Sequence, residues 1–88
     1  MKLEETGLTF EDIKEKVNKY MIETYERMDF LAESAKDQYI YNEKGEKYLD
    51  FYAGIAVNSA GSCNEKVVKA VVDQAQTLMH TFNYPYPI

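Results

Sequence analysis

The 88-residue chain carries ten basic and fifteen acidic side chains for a formal net charge of −5, which argues against nucleic-acid binding, since that needs a basic stripe to replace counterions. One cysteine, Cys63, and one histidine, His80, make neither an internal disulfide nor a zinc set. A chain this short is one small domain or a piece of a larger one, and buries only roughly 60–65% of its unfolded surface. No apolar run is long enough to span a bilayer and the N-terminus lacks a secretory pattern, so the expected location is cytoplasmic. Eight Tyr and four Phe are too many for a disordered chain. Tyr is also favoured at interfaces, because it joins an apolar ring to a wet hydroxyl.

Met1 to Gly7 is charged and reads as frayed. Thr9 is an expected helix N-cap, with Asp12 three residues on approximating a capping box and Leu8 and Ile13 spaced as a hydrophobic staple. Phe10, Ile13, Val17, Tyr20, Met21, Tyr25 and Met28 recur at three- and four-residue steps, predicting an amphipathic helix from about Phe10 to Met28. Its polar face is not rich in basic residues, so the apolar stripe suits a protein surface better than a membrane. Phe30-Leu31-Ala32 reads either as a short extended piece or as the frayed end of that helix.

Gln38 to Tyr41 and Lys47 to Tyr52 predict a β-hairpin over about 38–52, closed by Asn42-Glu43-Lys44-Gly45. Asn42 can bond the backbone ahead of it, and Gly45 can take the left-handed position that ends the turn. A lone hairpin is marginal in water, so a third strand or a helix must cover it. The stretch Tyr48 to Gly61 then loses bulk abruptly through Ala53, Gly54, Ala56, Asn58, Ser59, Ala60 and Gly61. A small, glycine-bearing loop between a strand and a helix is a common place for a binding surface. On composition alone, a tight connection without a ligand is the plainer interpretation. Asn64 caps a predicted helix from about Glu65 to Met79, with Val67, Val68, Val71, Val72, Ala75, Leu78 and Met79 on one face. Its valines have modest helix propensity, so burial must hold it. His80 to Ile88 is an extended tail, because residues before Pro85 and Pro87 are pushed out of helical geometry. Ile88 sits in an apolar extended segment with no polar terminus behind it.

No self-sufficient active site emerges. Asp50 alternates with Leu49 and Phe51 and is expected to face away from the core. Ser59 and Ser62 have no histidine at a motif spacing, and His80 has no orienting partner. Lys44, Lys47, Lys66 and Lys69 lie on a turn or on solvated faces, unlike a desolvated Schiff-base lysine. On its own residues the chain is not expected to be an enzyme.

From about Tyr20 onward the sequence resembles the N-terminal segment of class III aminotransferases of the ornithine, acetylornithine and 4-aminobutyrate type, which depend on pyridoxal phosphate. The resemblance is carried by Tyr39-Ile-Tyr-Asn-Glu-Lys-Gly45, Lys47-Tyr-Leu-Asp-Phe51, Gly54-Ile-Ala-Val57, Gly61, and Lys66-Val-Val-Lys-Ala70 with Gln74 and Ala75. His80-Thr81 and Asn83 close it. The Gly-Ile-Ala-Val-Asn and His-Thr-Phe-Asn pieces look closest to the acetylornithine and 4-aminobutyrate branch. Ser62-Cys63-Asn64-Glu65 departs from the Gly-His-x-His-Pro pattern usual there.

The resemblance implies an α+β fold, the N-terminal part of a fold type I aminotransferase, with residues 1–88 as one segment and the large cofactor-binding domain absent. It implies that Gly54, Ile55, Ala56 and Val57 line the substrate entrance. It also implies that His80, Thr81 and Asn83 lie near the cofactor across a homodimer interface, and that the helix from Phe10 packs on a neighbouring subunit. The parent enzyme would use pyridoxal phosphate to move an amino group between an ω-amino donor and a 2-oxo acid. The Schiff-base lysine would lie in the absent domain, so the cofactor is not expected on this chain alone. Two other expectations stand beside this one: a non-catalytic α+β interaction domain that oligomerises through its aromatic face, and a small-molecule binder built on the Gly54 loop.

Overall fold

The computed structural model describes residues 1–82 and 84–86. The elements run α1 (Leu3–Thr6), α2 (Phe10–Tyr20), β1 (Ala32–Lys36), β2 (Tyr39–Asn42), β3 (Lys47–Leu49), α3 (Ala53–Ala56) and α4 (Glu65–Thr77). The architecture is α+β, with one antiparallel sheet in the order β1-β2-β3.

Local chemistry sets the helix starts. Thr9 Oγ1 accepts from the Asp12 N–H at 3.1 Å while the Asp12 carboxylate accepts from the Thr9 N–H at 2.7 Å, closing the reciprocal capping box. The hydroxyl and backbone N–H of Thr9 hold the Asp12 carboxyl below its ordinary value, the backbone bond having the larger effect. Asn64 Oδ1 accepts from the N–H groups of Lys66 and Val67, opening α4 as its sequence position predicts.

The two long helices end earlier than their periodicity suggests. α2 stops at Tyr20 rather than Met28, with Met21 already extended at φ −108° and ψ 141°. Tyr25 and Met28 continue the apolar period, but both are exposed, so burial does not hold further turns of helix there. The chain instead folds back, bringing the Asp29 carboxylate 2.9 Å from Lys14 Nζ. α4 ends at Thr77 rather than Met79, where Gln74 Nε2 donates to the Leu78 carbonyl at 2.8 Å. Met1 to Gly7 is not wholly frayed. Residues 3–6 form a helical turn, and the Leu3 N–H donates to Glu33 Oε1 at 2.7 Å.

β2 and β3 form the predicted hairpin within narrower limits, 39–49 instead of 38–52. Its turn follows the expectation: Asn42 Oδ1 accepts from the N–H groups of Lys44 and Glu46, and Gly45 sits at φ 79°. Asn42 is 6% exposed, and its Nδ2 donates to Glu46 Oε2. The third strand is Ala32–Lys36, the ambiguous segment of the sequence. It pairs with β2 through Lys36↔Tyr39, Ala35↔Ile40 and Ser34↔Tyr41, with a bulge between Ala32 and Ser34.

Among the described residues no apolar side chain is buried. The radius of gyration is 17.0 Å, against about 12 Å for a compact domain of this length. Accessible surface is 8212 Å², against about 5,300 Å² for a folded monomer of this mass, an excess of about 2,900 Å². The apolar face of α4, which must be buried to hold valine-rich helix, is open, with Val71 62% exposed.

Candidate functional site

The small-residue loop after β3 is tied at both ends to the tip of the β1–β2 hairpin. At its entry the Asp50 N–H donates to the Gln38 carbonyl at 2.8 Å. At its exit Asp37 and Ser62 exchange both backbone hydrogen bonds, at 2.8 and 2.9 Å. Gly61 makes this second tie possible. At φ 80° it lies in the left-handed region, and a Cβ there would meet the Asp37 backbone at 3.2–3.3 Å. Lys36 Nζ adds a bond to the Cys63 carbonyl at 3.0 Å. Asp37 itself takes φ 51° at the first position of a two-residue hairpin turn, a backbone state Asp tolerates better than most.

Between the ties lies α3, one turn of left-handed sense. Ala53, Gly54, Ile55 and Ala56 have φ of 51°, 59°, 63° and 60°. Tyr52 before it and Val57 after it are right-handed, so the chain reverses hand twice. Its backbone bonds run from Ala56 N–H to the Tyr52 carbonyl and from Val57 and Asn58 N–H to the Ala53 carbonyl. Only Gly54 adopts this state without strain. The other three cost roughly 1–2 kcal/mol each, and a β-branched residue such as Ile55 at positive φ is a clear outlier. Asp50, expected to face away from the core, is half-buried, and its carboxylate binds the start of the loop. Its Oδ1 accepts from the Tyr52 N–H at 2.8 Å and the Ala53 N–H at 2.9 Å.

Of the four predicted entrance residues, Ile55 and Gly54 line two different hollows. Ile55, with Tyr52, lines an open cleft of about 930 Å³ against Phe10, Ile13 and Val17 of α2 and Tyr25 to Leu31 of the returning chain. Lys14 sits in that wall, 4.6 Å from the Phe10 ring centroid. Its hydrogen bonds to Glu11 and then Asp29 hold its amine above the ordinary value. Gly54 lines a second hollow of about 470 Å³ with Ser34, Ile40, Asp50, Asn58 and Ser62. Ala56 and Val57 line neither, and both are exposed. His80 is exposed and Thr81 half-buried in the irregular stretch beyond α4, and neither lines the two hollows. Asn83 lies outside the described residues, as do Pro87 and Ile88 of the expected tail.

Sequence reasoning missed the residues that build the loop: Asp37, Asp50 and Ser62. Asp50 carried a usable signal, an Asp two and three residues ahead of backbone N–H groups in a small-residue turn, the arrangement of an Asx turn. Ser62 carried none, because its tie is to a residue 25 positions away. No group of three potential metal ligands occurs among the described residues, and none of their helices is long and apolar enough to cross a membrane.

Residues 20–86 match the protein family described as aminotransferase class-III. The chain belongs to the class III aminotransferases. It is 46% identical over 70 residues to the acetylornithine aminotransferase of Methanocaldococcus jannaschii, an alignment covering 80% of this chain and 18% of that one. An ornithine aminotransferase of Toxoplasma gondii, whose structure has partial occupancy of PLP at its active site, superposes with a TM-score of 0.85 at 26% identity. That likeness covers 97% of this chain and 21% of the other. The acetylornithine aminotransferase of Elizabethkingia anophelis shares the fold, with a TM-score of 0.83 at 24% identity over 89% of this chain and 20% of that one. The chain thus spans about a fifth of the length of the curated relatives it matches. The family match begins within the last turn of α2, whereas the structural likeness to the Toxoplasma enzyme takes in nearly the whole chain.

A class III aminotransferase works through pyridoxal phosphate. Imine formation needs an amine whose pKa is lowered by burial, and no lysine among the described residues is buried. The group does not fit on these residues alone.

Proposed function

We propose that this chain is the N-terminal segment of a pyridoxal-phosphate-dependent transaminase, one that moves an amino group between an ω-amino donor of the acetylornithine or 4-aminobutyrate type and a 2-oxo acid. In this proposal the segment does no bond-breaking. It shapes the substrate entrance with Gly54, Ile55, Ala56 and Val57, and contributes to a dimer interface through α2 and the exposed apolar surface. His80, Thr81 and Asn83 approach the cofactor end of the partner subunit's site. The observation that carries the entrance role is the doubly tied loop, which holds Ile55 at the mouth of a cleft on a backbone turn of fixed hand. Such a placement lets an apolar side chain contact the methylene part of a donor and exclude water from it, while amino-group chemistry is left to the cofactor.

The test is a chimera in which this chain replaces the corresponding segment of the Methanocaldococcus jannaschii acetylornithine aminotransferase. The chimera is expected to bind pyridoxal phosphate and transaminate, and Ile55→Ala is expected to raise the KM for the donor by roughly tenfold. The 88-residue chain alone is expected to give no turnover. A chimera that holds its cofactor but is kinetically indifferent to Ile55→Ala and Val57→Ala would remove the entrance role.

A second reading, an interaction domain that oligomerises, is carried by the surface excess of about 2,900 Å², since a stable interface needs only about 800 Å² from each partner. It is compatible with the first, because an interface segment exposes the surface its partner would cover.

A further inference from the structure

We infer that Asp50 is the positioning residue that sets the hand of the Ala53–Ala56 turn, and through it the direction of Ile55. The entrance role of Ile55 rests on the proposed function above; the control of the turn by Asp50 does not. Four observations meet here. The turn is left-handed at four successive residues, three of which are not glycine. From Gly54 to Ala60 every residue is exposed, so burial within this chain does not hold the turn in that state. The Asp50 carboxylate accepts from the N–H groups of Tyr52 and Ala53, the last right-handed and the first left-handed residue, at 2.8 and 2.9 Å. Asp50 is itself anchored, half-buried, by its backbone N–H on the Gln38 carbonyl.

One oxygen therefore pins the amides on either side of Tyr52 and delivers the chain to Ala53 in a set direction. With Tyr52 held right-handed and its successor's N–H turned back toward the same acceptor, Ala53 is left to enter the positive-φ region. The Ala53 carbonyl then collects the Val57 and Asn58 N–H groups and closes the turn. Strained backbone persists only where its surroundings over-determine it. Here the determining group is one carboxylate oxygen, not a packed core.

The test uses the 88-residue chain in solution. Positive φ at residues 53, 55 and 56 gives a strong intraresidue HN–Hα cross-peak in NMR spectra, which negative φ does not. Wild type is expected to show it at all three. Asp50→Asn keeps an acceptor oxygen and is expected to retain it, whereas Asp50→Ala removes both bonds to the Tyr52 and Ala53 N–H groups and is expected to lower the ratio of left-handed to relaxed turn by roughly tenfold or more. Adding Ala53→Gly and Ile55→Gly to Asp50→Ala removes two of the three penalties for positive φ and is expected to restore the turn, read by the cross-peak at Ala56. Retention of the cross-peaks in Asp50→Ala would overturn the inference, as would their absence from the wild-type chain. Loss in Asp50→Ala without glycine rescue would overturn it too, since that is the outcome for a residue that merely supports the loop. In the chimera, unchanged kinetics with a lost turn would instead count against the entrance role.

Discussion

Replacing Gly61 by alanine tests whether the loop is truly tied to the hairpin tip. Gly61 lies at φ 80°, and a methyl group there would sit 3.2 Å from the Asp37 Cα and 3.3 Å from its carbonyl carbon and oxygen. Left-handed geometry costs a non-glycine residue roughly 1–2 kcal/mol, and the contact with backbone atoms, which cannot swing away, raises the total to about 2–3 kcal/mol. Gly7 supplies the control. Its φ is 69°, and a Cβ there would meet nothing within 4 Å, so Gly7→Ala isolates the backbone term. The assay is native-state hydrogen exchange at the amides of Ser62 and Asp37, which bond each other's carbonyls. If those amides exchange by local opening of the tie, Gly61→Ala is expected to speed exchange at both by roughly 30- to 150-fold. Gly7→Ala is expected to leave both unchanged. Equal protection in wild type and Gly61→Ala would show that Asp37 and Ser62 are not held together in solution, and the geometry argued for the loop would fall with them.

Three other outcomes follow from the same structure. Because bonding to Thr9 lowers the Asp12 carboxyl from its ordinary value of 3.8, the capping box contributes stability above that value and loses it as the pH falls through the lower folded one. The helical circular dichroism of α2 is expected to decline on acidification below about pH 4, and Asp12→Ala is expected to lower it at neutral pH and abolish the acid step. An acid step unchanged in Asp12→Ala would assign it to other carboxylates. Asn42→Ala removes the side chain that accepts from Lys44 and Glu46 and donates to Glu46, and is expected to destabilise the β2–β3 hairpin by about 1–3 kcal/mol, read by denaturant titration. It is also expected to raise the Glu46 pKa, which Asn42 first and Tyr48 second now hold down, so a Glu46 titration unmoved by Asn42→Ala would contradict that bond. Finally, light scattering across a concentration series is expected to show association of the purified chain, and a monodisperse, cooperatively melting monomer at high concentration would refute the claim that its apolar surface needs covering.

What could be read from the residues was local. Thr9 with Asp12, Asn64 ahead of α4, and Asn42 with Gly45 each act within four positions of themselves, and each does what its type and spacing imply. The helix ends were less legible. Tyr25 and Met28 satisfy a 3.6-residue period, but a period records which side chains could share a face, not whether anything lies beneath it. β1 was hidden for the opposite reason. Ala32-Glu33-Ser34-Ala35-Lys36 has no β-branched or aromatic residue, and it becomes a strand because β2 offers an open edge. The loop's glycines pointed to unusual backbone, yet its left-handed turn runs on through alanine and isoleucine. Its framework depends on Asp37 and Gln38, which no local pattern connects to Ser62 and Asp50.

Exposure and strain in this chain have a common physical reading. A sheet of three short strands, a helix whose valines face water and a strained turn leave only a thin margin over the entropy of ordering 88 residues. Where a compact domain of this size would close its core, the chain keeps its backbone hydrogen bonds and leaves its apolar faces outward. Apolar faces left outward in this way are surfaces that another body can cover. The clamped loop then gains significance, because its ties to Asp37 and Gln38 are internal while the faces around it are open. Such a segment can carry a preset backbone shape into an interface. On this argument, covering the α2 and α4 faces should stabilise the chain greatly while changing the ties at Asp37, Gln38 and Ser62 little.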